Sequence, residues 1–181
     1  DGFDDVIIGA PTYNNGESDV GKVFVYYGSQ SGLSQTAQWS SLGNGLNYGY
    51  RVSEAGDVNN DGYDDILIAT FGGGVFSFLG SQNGLVNTPH WISNGWGILQ
   101  YFGYSLSPAG DYNGDGYDDI IVGCLDGGFA SNNYFTGAMI FFGSENGLIS
   151  IYAHYCHLDV PNYSIQGFGR SVACAGDVNG N

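Results

Sequence analysis

The chain has 181 residues, of which 43% are hydrophobic and 32 are glycine, a composition that suits an all-β protein with a real core and many tight turns. Its formal net charge is −15 with only three lysine and arginine residues, which argues against binding of nucleic acid or of an anionic membrane surface. The sequence contains no apolar run as long as a membrane span, so membrane insertion is not expected either.

The first predicted elements are half of a loop and a strand. Asp1-Gly-Phe-Asp-Asp5 precedes the run Val6-Ile-Ile-Gly-Ala-Pro11, whose β-branched residues are typical of a buried strand. Asp57-Val-Asn-Asn-Asp-Gly-Tyr-Asp-Asp65 and Asp111-Tyr-Asn-Gly-Asp-Gly-Tyr-Asp-Asp119 contain the whole loop, each before a similar strand, and Asp177-Val-Asn-Gly-Asn181 is its front half. The sequence therefore holds two intact copies of one loop and a third copy divided between residues 1–5 and 177–181.

The loop has the pattern of a calcium site. Oxygen-bearing side chains stand at loop positions 1, 3, 5 and 9, a backbone carbonyl is available at position 7, and glycine allows a sharp turn at position 6. So dense a set of oxygens favours calcium over magnesium, and we expect about three ions per chain. The predicted ligands are Asp57, Asn59, Asp61, the Tyr63 carbonyl and Asp65; Asp111, Asn113, Asp115, the Tyr117 carbonyl and Asp119; and, in the divided copy, Asp177, Asn179, Asn181 or Asp1, the Phe3 carbonyl and Asp5.

The loop has two other possible interpretations. An EF-hand requires Glu at position 12 and a following helix, but position 12 is Ile68 or Val122 within a strand-like run. An Asx-rich turn that only closes a hairpin is the simpler alternative. Two full copies with identical spacing favour the metal site.

The loops belong to a longer repeat. An aromatic-Gly pair lies nine residues before each first loop Asp, and a Gly-Ser-x-x-Gly-Leu motif ends the third strand of each unit. The pairs are Tyr48-Gly49, Phe102-Gly103 and Phe168-Gly169, and the motifs span residues 28–33, 80–85 and 143–148. Spacings of 54 and 66 residues separate Asp57, Asp111 and Asp177. Units of that length with four short strands indicate blades of a β-propeller or a related β array.

These motifs resemble the FG-GAP repeats of the integrin α-chain propeller, and resemble still more those of bacterial and fungal secreted propellers. The resemblance rests on Phe168-Gly-Arg-Ser-Val-Ala-Cys-Ala-Gly-Asp177, on the loops and on Val6-Ile-Ile-Gly-Ala-Pro11, and it covers essentially the whole chain. It implies that the aromatic-Gly segment is the innermost strand A, that the calcium loop joins A to B, and that C and D complete a four-stranded blade.

In that frame the chain is a single propeller array with three blades' worth of strands. Strands B, C and D of a shared blade take residues 4–43, complete blades take 46–94 and 100–160, and a lone strand A takes 166–176. Three blades are too few to close a ring, and an open array exposes strand edges. We therefore expect a homo-oligomer, most simply a two-fold, six-bladed dimer in which one chain completes the other's shared blade. The alternative is that the chain is part of a longer propeller.

A binding role without enzymatic activity is predicted. The sequence has no Gly-x-Ser-x-Gly, His-Glu-x-x-His or phosphate-binding glycine motif. Aromatic residues make up 15% of the chain and suit sugar faces or protein hot spots. Tyr13, Trp96, Tyr101 and Tyr134 lie where loops interrupt the repeat and are the candidate ligand-binding residues. The resemblance implies glycan or extracellular-protein recognition, and a structural or self-assembly propeller with no ligand of its own is the alternative.

The sequence also predicts where the protein is located and which side chains are buried. Calcium sites of this kind need the millimolar calcium found outside cells, which predicts an extracellular, periplasmic or cell-surface protein. Cys124 and Cys174 fall within predicted strands and are expected to be buried thiols. Trp39 and Trp91 occupy matching places in two units and are expected to pack between outer strands.

Overall fold

The computed structural model describes residues 2–16, 19–95, 101–125, 137–156 and 167–180. These residues form eleven β-strands and no α-helix, which confirms the all-β class. The strands pair in three separate antiparallel sheets that follow one another along the chain. Within the same residues, no helix has the length and apolar character needed to cross a membrane.

Each sheet is a meander in which neighbouring strands are consecutive in sequence. The first sheet has three strands: β1 (Val6–Ala10), β2 (Lys22–Tyr26) and β3 (Trp39–Leu42). The second sheet has four: β4 (Arg51–Gly56), β5 (Asp65–Ala69), β6 (Val75–Phe78) and β7 (Trp91–Ser93). The third also has four: β8 (Phe102–Gly110), β9 (Asp119–Cys124), β10 (Gly137–Phe141) and β11 (His154–Cys156). The loops 57–65 and 111–119 connect the first two strands of the second and third sheets.

The second sheet lies between the other two and is buried on both faces. Leu67 and Ala69 of β5 belong to the core cluster shared with the third sheet, whereas Ile68 belongs to the cluster shared with the first sheet. All three side chains are fully buried. A strand covered on both faces needs a continuous apolar run rather than an alternating one, which explains the Ile-Leu-Ile-Ala sequence of β5. The three sheets therefore stack face to face, as propeller blades do.

Tryptophans join adjacent sheets at the outer strands. Trp39 of β3 packs edge-to-face on Phe78 of β6 with ring centroids 5.2 Å apart, and Trp91 of β7 packs on Phe141 of β10 at 5.1 Å. Both indoles are buried, and neither Nε1 atom has a hydrogen-bond partner within the described structure. Their contribution is therefore apolar packing between sheets, as their matching positions predict.

The aromatic-Gly pairs adopt one backbone conformation in all three copies. Gly49, Gly103 and Gly169 have φ values of +84°, +82° and +84°, a region that residues with a Cβ rarely adopt. A Cβ on Gly103 would lie 2.6 Å from Val75 Cγ2 and 2.9 Å from Ala69 Cβ. Glycine is thus needed both for the turn and for the close approach of β8 to the preceding sheet.

The last predicted strand is not a strand in the structure. Residues 167–170 form a turn, and residues 171–180 join no β-ladder. Cys174, expected to be a buried thiol, is exposed, whereas Cys124 is buried and its thiol donates to the Gly137 carbonyl. The reason is topological: the described chain has no strand B beside residues 171–176, and the first sheet in turn has no strand A.

Substituting Gly103 tests the close approach between sheets. We expect Gly103→Ala to lower the free energy of unfolding in urea by about 2–4 kcal/mol, because the new Cβ adds overpacking to a strained φ. Gly110→Ala is the matched control, since Gly110 lies on the same strand with φ +65° and open space around its Cα. That control should cost only about 1–2 kcal/mol. Equal losses for the two variants would show that packing contributes nothing.

Candidate metal centres

The first intact loop turns its polar side chains inward. Asp57 accepts hydrogen bonds from the Asp61 amide (3.0 Å, at Oδ1) and the Gly62 amide (2.7 Å, at Oδ2). Asn59 Oδ1 accepts from the Asp61 amide at 3.2 Å, and Asp61 Oδ1 accepts from the Tyr63 amide at 3.0 Å. The side chains of positions 1, 3 and 5 are therefore held in one small region by the loop's own backbone.

The second intact loop repeats these four hydrogen bonds. Asp111 accepts from the amides of Asp115 and Gly116 at 3.0 and 2.9 Å, and Asn113 accepts from the Asp115 amide at 2.9 Å. Asp115 in turn accepts from the Tyr117 amide at 3.1 Å. Gly62 and Gly116, at position 6, have φ values of +90° and +93°. The two sequences therefore encode one loop geometry, although position 4 is Asn in one copy and Gly in the other.

The aspartates at position 9 lie beneath the loops instead of within them. Asp65 and Asp119 have no exposed surface. Asp65 accepts from the Val58 amide at 2.9 Å and the Gly80 amide at 2.7 Å, and Asp119 accepts from the amides of Tyr112 and Gly143, both at 2.9 Å. Each carboxylate thus ties its loop to the turn that follows the third strand of the same sheet. Both oxygens retain a second lone pair for a further ligand.

The environment of these two carboxylates disfavours their negative charge. Burial raises the pKa of Asp65 to about 7, against the opposing effect of its two amide hydrogen bonds, and the nearby charges of Asp57 and Asp61 raise it further. Burial likewise raises the pKa of Asp119, with Asp115 and Asp111 adding to the effect. A positive charge in either loop would favour the ionised form of the buried carboxylate.

The donor set of each loop is mixed. No group of three or more His, Cys, Asp or Glu side chains lies together as a metal cluster in the part of the chain that the structure describes. The reason is that position 3 is an asparagine and that the position 9 carboxylate points to backbone amides. What the loops bring together at the surface is two carboxylates and one amide oxygen, all of them hard oxygen donors.

The divided copy has the same local geometry in each of its described halves. In the front half, the Gly180 amide donates to Asp177 Oδ1 at 2.7 Å, as the Gly114 amide does to Asp111. In the back half, the Gly28 amide donates to Asp5 Oδ1 at 2.9 Å, as the Gly143 amide does to Asp119. Asp1 and Asn181, predicted alternatives for position 5, lie outside the described residues.

A residue that the sequence reasoning did not single out joins the two intact loops. Asp118 Oδ2 accepts from the Asp57 amide at 3.0 Å, and the Asp118 amide donates to the Asp57 carbonyl at 3.1 Å. A Cβ on Gly56 would collide with the Asp118 carboxylate, so glycine is required at that contact. The Asp-Asp pair at loop positions 8 and 9 is the sequence signal for this contact. Asp119 accepts from amides of its own sheet, whereas Asp118 accepts from the Asp57 amide of the neighbouring loop.

Of the predicted ligand-binding aromatics, the structure describes Tyr13 and Tyr101, which have different neighbours. Tyr13 is 37% exposed and contacts Phe24 and the Lys22 ammonium, whereas Tyr101 packs edge-to-face on Phe71 at 5.3 Å. Trp96 and Tyr134 lie outside the described residues.

Tyr101 begins a continuous row of rings that the sequence did not reveal. The aromatic row consists of Tyr101, Phe71, Tyr50 and Tyr104, with successive ring centroids 5.3, 5.0 and 6.2 Å apart. The Arg51 guanidinium lies over Tyr50 at 4.4 Å and Tyr104 at 5.2 Å, and Nε donates to the Tyr104 carbonyl. Phe71 is 43% exposed, so a ligand can reach the row at this ring.

Comparison with known proteins gives consistent matches. The family profile described as "FG-GAP-like repeat" matches residues 57–122, which hold both intact loops. Human integrin alpha-6 is 36% identical over 69% of this chain and 11% of its own length. Integrin alpha-5 of Xenopus laevis is 30% identical over 96% of this chain and 18% of its own length, and integrin alpha-3 of Cricetulus griseus is 35% identical over 69% and 13%. The chain thus spans less than a fifth of the length of these relatives.

The contact between loops is tested by removing the Asp118 carboxylate. We expect Asp118→Ala to destabilise the chain by about 1–3 kcal/mol in urea unfolding, because the partly buried Asp57 amide loses its hydrogen-bond acceptor. Glu145→Ala is the control: it removes the same charge from the same sheet at an exposed position, where the carboxylate accepts from the adjacent Asn146 side chain. The control should change stability by no more than about 0.5 kcal/mol. If Asp118→Ala leaves the free energy of unfolding unchanged, Asp118 does not hold the two loops together.

Proposed function

Because this chain is an FG-GAP repeat, propeller-like domain, we propose that it is a calcium-stabilised, non-enzymatic binding and adhesion module. The observation that carries the proposal is the pair of loops at residues 57–65 and 111–119, which fold alike and gather the same oxygen donors. The integrin α-chain relatives support an adhesion-related role at a cell surface or outside the cell.

Calcium is the cation that these donors fit best. Calcium takes six to eight oxygen ligands in flexible geometry, and each loop offers carboxylates, an amide oxygen and a backbone carbonyl without a nitrogen or sulfur donor. The acids of each loop repel one another, and a divalent ion would offset that repulsion. Asp57, Asn59, Asp61, the Tyr63 carbonyl and Asp65 would hold one ion, with Asp111, Asn113, Asp115, the Tyr117 carbonyl and Asp119 holding the second.

A third calcium ion would bind where the divided loop is completed. Asp177, Asn179, the Phe3 carbonyl and Asp5 are the described donors of that site, and Asn181 or Asp1 would supply position 5. Completion requires that the front half of the loop meet a back half, as residues 177–181 would if they joined residues 1–5 of another copy. We therefore propose that the chain assembles into a closed ring, most simply a two-fold, six-bladed homodimer; residence within a longer propeller is the alternative.

Glycan or extracellular-protein recognition is the proposed activity of the module. The aromatic row supports glycan binding, because flat rings with an adjacent Arg51 guanidinium suit the apolar face and the hydroxyls of a sugar. Tyr13 and Tyr101 stay candidate contacts, as do Trp96 and Tyr134. A structural or self-assembly propeller with no ligand of its own is the second candidate, favoured by the extensive contacts between sheets.

Calcium should raise the melting temperature of the chain strongly. At 100 times Kd a ligand that binds only the folded state adds about 2.7 kcal/mol, which corresponds to about 5–10 °C for a chain of this size. The Asp61→Asn, Asp115→Asn double variant should lose most of this shift, whereas Glu54→Gln, Glu145→Gln, which removes two exposed acids elsewhere, should retain it. An identical calcium response in both double variants would refute these loops as the binding sites.

A glycan array read with calcium and with chelator tests the recognition role. If the aromatic row binds sugar, Phe71→Ala and Tyr101→Ala should weaken binding about tenfold, the size expected when one ring contact is lost. Ile92→Ala is the control, since Ile92 is an exposed apolar side chain on the outer strand β7. If Phe71→Ala and Tyr101→Ala bind glycan as well as the unmodified chain does, the glycan site lies outside the aromatic row. If no glycan binds at all, protein adhesion or a structural role is favoured.

A further inference from the structure

We propose that the Tyr104 end of the aromatic row is an anion site, at which the Arg51 and Arg170 guanidinium groups bind the carboxylate of an acidic oligosaccharide. The inference deepens the proposed glycan recognition by naming the class of sugar, and it rests on that proposal.

The fixed positive charges of the chain are concentrated at this one place. Lysine and arginine occur only as Lys22, Arg51 and Arg170. Two of them, Arg51 and Arg170, line a cavity of about 770 Å³ together with Tyr104, the last ring of the row. None of the described residues that line this cavity carries a carboxylate. In a chain with a formal net charge of −15, the cavity is therefore a local concentration of positive charge.

The Arg51 guanidinium is held in place by its neighbours. Its Nε donates to the Tyr104 carbonyl at 2.9 Å, and its Nη1 donates to the Tyr50 carbonyl at 3.1 Å. The same group lies over the rings of both tyrosines. Within the described residues both bonds go to uncharged carbonyls, which leaves the Nη2 hydrogens available to a ligand. A ligand would therefore meet a cation whose side-chain freedom is already lost, which lowers the entropic cost of binding.

Arg170 takes the place that tyrosine has in the other two repeats. It directly follows the aromatic-Gly pair, as Tyr50 and Tyr104 do. Each of the three amides donates to the carbonyl three residues earlier, at 3.0 Å for Tyr50, 3.1 Å for Tyr104 and 3.0 Å for Arg170. Arg170 is exposed, whereas the two tyrosines are half-buried. The repeat therefore sets Arg170 next after Tyr104, with its guanidinium accessible.

The segment that carries Arg170 is anchored on β8. The Ser105 hydroxyl donates to the Gly169 carbonyl at 2.8 Å, and the Cys174 amide donates to Ser107 Oγ at 3.3 Å. These bonds flank Arg170 on both sides. The backbone from which the Arg170 side chain extends is thus fixed beside the third sheet.

The acidic loops lie at the other end of the innermost strands. Arg51 is the first residue of β4 and Gly56 is the last, directly before the loop that begins at Asp57. At the usual rise per residue, Arg51 is about 15 Å from that loop. This distance exceeds the Debye length, which is about 8 Å at physiological ionic strength. The negative charge of the loops is therefore largely screened at the cavity, while an anion in the cavity contacts the arginines directly.

A single carboxylate suits this site better than a polyanion does. Guanidinium groups present paired N–H donors that match the two oxygens of a carboxylate. A nucleic acid or a heavily sulfated polymer would extend beyond the cavity and meet the net charge of −15, which repels it. The geometry thus favours a ligand with one acidic group at the cavity and uncharged groups on either side.

The aromatic row supplies the uncharged part of the site. Phe71 is 43% exposed, and Tyr50 lies between Phe71 and Tyr104, with ring centroids 5.0 and 6.2 Å from theirs. An oligosaccharide can therefore place the apolar face of one sugar on Phe71 and the carboxylate of the next at Arg51. An acidic peptide would use the arginines but has no need of the exposed ring, so it is the competing occupant.

Matched acidic and neutral sugars test the site. Sialyllactose and trigalacturonate represent two sources of a sugar carboxylate, a sialic acid and a uronic acid. At least one of them should bind the calcium-loaded chain at least tenfold more tightly than its methyl ester in titration calorimetry, because the ester lacks the charge. The compound that shows the preference identifies the source. Equal affinities of both acids and their esters overturn the proposal.

Arg170→Gln tests the residue assignment. It should remove the preference for the acid and leave binding of the ester unchanged, because Phe71 stays in place. Lys22→Gln is the matched control: it makes the same change in net charge, but Lys22 lies over Tyr13 and Phe24. The control should keep the preference. An equal loss in the two variants would show a general effect of charge and would overturn the site.

Failure of this inference and failure of the proposed function give different results. If neutral glycans bind and Phe71→Ala weakens them, but acids bind no better than their esters, the anion site alone is refuted. If neither acidic nor neutral glycans bind, the proposed glycan recognition fails as well. If an acidic peptide binds in an Arg170-dependent way and no glycan does, the occupant is a protein and the assignment to a sugar is wrong.

Discussion

A buried aspartate at the end of each intact loop is the constraint on which the rest of the structure depends. Burying a carboxylate is costly unless it is hydrogen-bonded, and Asp65 and Asp119 each accept hydrogen bonds from two backbone amides. One amide comes from position 2 of the loop and the other from the turn after the third strand. The loop is therefore locked to its own sheet from below, which leaves the oxygens of positions 1, 3 and 5 at the surface.

The same loops also hold neighbouring sheets together. The Asp118 carboxylate of the third sheet binds the Asp57 amide of the second, and Val58 of that loop is buried in the core that the two sheets share. Toward the opposite edge, the outer strand of the second sheet meets the third strand of the third sheet through Trp91 on Phe141. Adjacent sheets are thus joined at a polar contact and at an aromatic contact. Because the polar contact begins at the first residue of the loop, a cation bound there would act on the packing of sheets as well as on the loop.

The parts of the fold that were predictable from sequence are those that depend on local spacing. A window of about a dozen residues is enough to recognise the oxygen-bearing residues at fixed intervals, the glycine at position 6 and the apolar run after each loop. The role of Asp118, the aromatic row and the exposure of Cys174 were not predictable in this way. Each depends on which residues from another sheet lie nearby, and the sequence pattern of one repeat says nothing about its neighbour's side chains.

The sequence by itself determined the all-β class, the repeat and the oxygen donors gathered at loop positions 1, 3 and 5, because a nine-residue loop with this composition has few ways to satisfy its own amides. The tertiary structure alone decided what Asp65 and Asp119 do, since their partners Gly80 and Gly143 come from a distant turn. It also decided which surfaces stay uncovered. Tyr112 and Val58 occupy the same place in the repeat, yet only Val58 has a following sheet within the described chain to bury it.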